Sequence, residues 1–101
     1  MIKNTTLGKS RKQDLPALYD AFLNLKNREE CAAFLRDLCT LAELKAMSER
    51  LAVARMVAKD ISYRDISNAT GASTTTVTRV AHWYHHGMGG YGTALSRMFK
   101  K

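Results

Sequence analysis

The sequence predicts an all-α chain of six helices, and three observations carry that prediction. Apolar residues recur at helical spacing through Leu15–Leu25, Phe34–Leu38, Leu44–Val57 and Leu95–Phe99. Helix-opening pairs, a short polar residue with an acid three positions on, stand at Asn27/Glu30, Thr40/Glu43 and Ser62/Asp65. The third observation is Ile61–Trp83, ISYRDISNATGASTTTVTRVAHW, which reads as two short helices set at an angle by a turn at Gly71. No credible strand, repeat or low-complexity segment is present.

In chain order, residues 1–12 carry Lys3, Lys9, Arg11 and Lys12 with no apolar period, and are expected to form a flexible basic arm. Residues 13–101 are expected to form a single helical domain. Helix one is expected over Asp14–Lys26, with Pro16 in its first turn, where a missing N–H costs nothing. Helix two runs from the Asn27 cap to Leu38, with Phe34, Leu35 and Leu38 on its apolar side. Thr40 opens a longer, central helix to about Lys59, whose inner face is Leu44, Met47, Leu51, Ala54 and Val57.

The helix-turn-helix spans about 62–86. Ser62 caps a helix over Tyr63–Ala69, Gly71 supplies the left-handed residue that ends it, and Ser73 caps the next. Ile66, Ala72, Val77 and Val80 are the positions that must meet for the pair to pack at a steep angle. Ser67 and Thr70 fit that frame less well, since a small apolar and a larger aliphatic residue would suit their places better. Gly87-Met88-Gly89-Gly90 ends the second helix, and a last helix follows over Tyr91–Lys100.

Composition narrows the function. The chain has 101 residues and a net charge of +7, so it has much surface for its volume and calls for an anionic partner. A partner chain would help to cover its apolar faces, which makes a homodimer the expected assembly. No apolar run approaches the span of a bilayer, and MIKNTTLGKSRKQ lacks the core of a signal peptide, so a cytoplasmic, nucleoid-associated protein without membrane partners is expected. Cys31 and Cys39, eight residues and about 12 Å apart on a helix, are too distant for a mutual disulfide and are read as free thiols.

The chemistry on the paired helices points to double-stranded DNA. The threonine-rich start of the second helix offers hydroxyls and methyls suited to base edges, which makes Thr74, Thr75 and Thr78 the candidate base readers. Arg64, Asn68, Ser73 and Arg79 are the candidate phosphate contacts. His82 and His86, four apart with His85 beside them, have the spacing of a two-histidine metal site, but the sequence offers no nearby third ligand. No cofactor is expected. No Ser/His/Asp set, carboxylate pair or phosphate loop stands out, so the chain is not read as an enzyme. The alternative to a DNA-binding regulator is a helical protein-interaction or RNA-binding module with a basic surface.

From about Leu18 to Met98 the chain resembles the Trp repressor superfamily, and most closely its shorter Trp-repressor-related branch of YerC/YecD type. LYDAFLNLKNREEC, DLCTLAELKAMSERLAVA, GASTTTVTRV and GMGGYGTALSRM carry the likeness. The resemblance implies a six-helix subunit, an intertwined homodimer and helix-turn-helix heads that repress transcription. It also implies a ligand pocket at Thr40, Arg50, Thr76, Arg79, Val80 and Trp83. The two arginines that flank tryptophan in the family are matched by Arg50 and Arg79. The family's space-making glycine corresponds to Val80 and its ligand-contacting serine to Trp83, so an occluded pocket and no tryptophan dependence are expected.

Overall fold

The computed structural model describes residues 11–99. Among them are six α-helices and no strand: α1 Arg11–Leu23, α2 Arg28–Leu38, α3 Leu41–Ala58, α4 Tyr63–Thr70, α5 Thr74–His86 and α6 Gly90–Met98. Most of the proposed arm, and Lys100 at the expected end of the last helix, lie outside the described residues. The helices divide between Thr40 and Leu41 into two compact units.

In the first unit α1 starts and stops three residues before the expected bounds, which takes in Arg11 and Lys12. Pro16 therefore sits beyond the first turn, where it leaves the Lys12 carbonyl without its usual donor. The early stop has a visible cause, since the Asn24 amide donates from its side chain to the Asp20 carbonyl at 2.7 Å. Its backbone N–H is shared between the Asp20 and Ala21 carbonyls. At α2, Asn27 Oδ1 accepts from the Glu30 N–H at 2.9 Å. Glu30 Oε1 accepts in turn from the Lys26 N–H at 2.9 Å, so the reciprocal cap closes one residue earlier than the standard box. Phe22 and Phe34 meet edge to face, with ring centroids 5.4 Å apart.

No described side chain of this unit is buried in the single chain, and Leu15, Tyr19, Leu23 and Leu38 are each at least half exposed.

The second unit holds the core: Val53, Ala54 and Val57 from α3, Ile66 from α4, Ala72 in the turn, Val77, Val80 and Ala81 from α5, and Leu95 from α6. Ile66, Ala72, Val77 and Val80 meet as their spacing required, and all four are buried. The expected inner face of α3 is only partly right. Ala54 and Val57 are buried, but Leu44 and Leu51 are half-buried, Met47 is exposed, and Val53 was not foreseen. Every core residue that α3 contributes lies between Val53 and Val57, and its earlier apolar residues are at most half-buried within the single chain.

Two devices hold the unit's turns. After α3 the Ile61 N–H reaches back to the Met56 carbonyl and the Asp60 N–H to the Val57 carbonyl. This is a Schellman arrangement in which Asp60, at φ 59°, takes the left-handed place that glycine usually fills. Between α4 and α5, Gly71 is left-handed at φ 80°. The two residues that fitted the frame least well turn out to fasten this turn. The Ser67 hydroxyl donates to the Ala72 carbonyl, while the Thr70 hydroxyl donates to the Ile66 carbonyl and accepts from the Ala72 N–H. Apolar residues at either place would fill space and leave these polar groups to water.

α6 returns to α3 after Gly87, where a Cβ would lie 2.4 Å from the Trp83 carbonyl oxygen. The return places Leu95 in the core and sets Phe99 beneath the Arg55 guanidinium, 3.7 Å from the ring centre.

Candidate nucleic-acid interface

The helix pair is built by its caps. Ser62 Oγ accepts from the Asp65 N–H at 3.2 Å and starts α4, which carries Arg64 and Asn68 one turn apart and exposed. Ser73 Oγ accepts from the Thr76 N–H at 3.1 Å and donates to Thr76 Oγ1 at 3.1 Å, so that hydroxyl is spent within the helix start. Thr76 turns inward and is half-buried, whereas Thr74, Thr75 and Thr78 face out.

α5 thus separates two concave surfaces. On its outer side Thr74, Thr75 and Thr78 share a shallow hollow with Arg79 and His82. On its other side lies a cleft of about 480 Å³ against α3, where Arg50 and Glu49 face Thr76, Arg79, Val80 and Trp83, with Tyr91 of α6 at the end. Arg79 lines both. Among the sequence-derived pocket residues, Arg50, Thr76, Arg79, Val80 and Trp83 come together there; Thr40 belongs to the first unit. The cleft is open in the single chain. Val80 is buried beneath it, and Trp83 is 56 % exposed and stands at its wall, so the indole does not fill the space as expected.

Tyr91 and Glu49 were missed by sequence reasoning. Glu49 lies one residue from Arg50 on the helical surface and could have been found; Tyr91 arrives only through the chain reversal at Gly87–Gly90. His82 was missed as a neighbour of the threonines, although its distance of seven residues from Thr75 and four from Thr78 is a helical signal.

His82 and His86 have ring centroids 5.3 Å apart. No group of three possible metal ligands occurs among the described residues. Cys31 and Cys39 are free and half-buried. No described helix is long and apolar enough to cross a membrane. Charge is unevenly spread along the chain: residues 41–101 hold nine basic and four acidic side chains, and residues 13–40 hold three and five.

Comparison with known proteins fits this geometry. The family model described as Trp repressor protein matches residues 13–99. The chain belongs to the Trp repressor family. It is 40% identical over 92 residues to the uncharacterized protein YerC of Bacillus subtilis (strain 168), a match covering 91% of this chain and 88% of that protein. The crystal structure of a TrpR-like protein from Eubacterium eligens ATCC 27750 is similar at a TM-score of 0.84 and 35% identity, covering 96% of this chain and 97% of the other. A Trp-repressor-type protein from Staphylococcus aureus is similar at a TM-score of 0.84 and 41% identity, covering 94% and 95%. Membership in the Trp repressor family points to a helix-turn-helix regulator that binds DNA, and away from an enzyme.

Proposed function

We propose that this protein is a sequence-specific transcriptional repressor that binds operator DNA as a two-fold homodimer and does so without tryptophan. The observation that carries the DNA reading is the outward hollow at the start of α5, where Thr74, Thr75 and Thr78 stand free of the core and flank Arg79. An α-helix fits the major groove, and its first turns meet the base edges. Thr74, Thr75 and Thr78 read bases; Arg64, Asn68, Arg79 and the Ser73 end of α5 hold phosphates.

The first unit supports the dimer. Two helices with an apolar stripe and no buried residue have not finished folding alone, and a second copy supplies a matching face. A two-fold pair would present two α5 helices to half-sites about 34 Å apart. Tryptophan independence rests on Val80, which places a branched side chain where the family keeps a glycine.

Genome-wide mapping of bound DNA, followed by titration of a mapped site and a random duplex across salt concentrations, tests the reading. A preference for the mapped site of at least a thousandfold is expected. Equal affinity for both at every salt concentration would replace it with an RNA-binding or protein-interaction module that carries a basic face.

A further inference from the structure

We infer that His82 holds a backbone phosphate where α5 leaves the major groove; the inference rests on the DNA-binding function proposed above. His82 shares the outward hollow with the three threonines and Arg79, and it is exposed. It lies roughly 10 Å beyond Thr75 along the helix axis, about the rise of three base pairs. A straight helix that enters the groove by its N-terminus meets the sugar-phosphate edge after two to three turns, because the groove curves away from it. His82 stands at that distance and on that face.

The side chain is prepared for such a contact. Its ring sits edge to face with Trp83 at 5.1 Å and tilted against His86 at 5.3 Å, so neighbours on both sides restrict its orientation. Neither ring nitrogen is consumed by a hydrogen bond among the described residues. An imidazole always carries at least one N–H, which can donate to a phosphate oxygen, and Arg79 in the same hollow adds the positive potential that draws the phosphate in. His85 lies off the hollow and packs against Tyr84 instead.

The test uses the full chain, with a genome-mapped duplex and a random duplex read by fluorescence anisotropy. His82→Ala should weaken both duplexes by the same factor, about tenfold for a hydrogen bond to a charged acceptor. His82→Asn, which keeps a donor, should recover part of the loss, and His85→Ala should bind like the parent.

Unchanged binding by His82→Ala overturns the inference while leaving the DNA-binding proposal in place. A loss confined to the mapped duplex overturns it in favour of a base contact, and a loss abolished by a chelator overturns it in favour of a metal held with His86. If the parent protein binds neither duplex, both proposals fall together.

Discussion

Single side chains on α5 divide into those turned to the core and those turned out, and the division predicts different failures. Thr75→Ala removes an outward hydroxyl and should cost about 1–3 kcal/mol at the preferred site, with no change in salt slope. Arg64→Ala removes a charge on α4 and should weaken every duplex alike, flattening the slope by about one unit. Equal losses on specific and random DNA for Thr75→Ala would move α5 from the groove to the backbone. Gly71 is a purely structural case. At φ 80° with nothing within 4 Å of the place a methyl group would take, it answers only to backbone strain. Gly71→Ala should therefore lower the unfolding free energy by about 1–2 kcal/mol in urea titration, and an unchanged midpoint would show that the turn relaxes.

At the scale of elements, the ends of helices matter more than their propensities. α3 stops at a left-handed Asp60, a residue that tolerates this backbone but does so at a cost. Asp60→Gly should raise stability by a few tenths to about 1 kcal/mol, because relief of strain exceeds the added chain entropy of glycine. A lower midpoint for this variant would mean that the carboxylate has a structural task of its own. The turn between α4 and α5 shows why element bounds could be read and its fastening could not. Ser62, Gly71 and Ser73 act through their immediate neighbours, so sequence reveals them. Ser67 and Thr70 fasten the Ala72 carbonyl and N–H across Gly71, groups whose positions exist only once the turn has formed.

At the scale of the molecule, the exposed apolar residues of α1, α2 and the first half of α3 are the leading fact. Leu15, Tyr19, Leu23 and Leu38 in the first unit, and Leu41 in the second, are each at least half exposed, and a second copy would cover such residues. Sedimentation should give a homodimer at micromolar concentration, and a folded monomer there would defeat the assembly proposed. The cleft between α3 and α5 yields the last prediction. Calorimetry should detect no saturable tryptophan binding, and tryptophan should leave operator affinity unchanged, because Val80 lines the cleft with a branched side chain together with Arg50 and Arg79. Tighter operator binding in its presence would show that the open cleft accepts the indole beside Trp83.

Sequence alone determined the helical class, the caps at Asn27, Ser62 and Ser73, the glycine turn, and the meeting of Ile66, Ala72, Val77 and Val80. These follow from periodicity and from contacts a few residues long, which survive in a linear reading. Tertiary structure alone decided which part of α3 is covered, that Tyr91 reaches the cleft, that Trp83 stands at its wall and not in it, and that Arg79 lines both faces of α5. Tyr91's place depends on how far α6 swings back after Gly87, and the rest on the direction in which α3, α4 and α5 cross. That direction is set by packing between distant segments, which no local pattern of residues encodes.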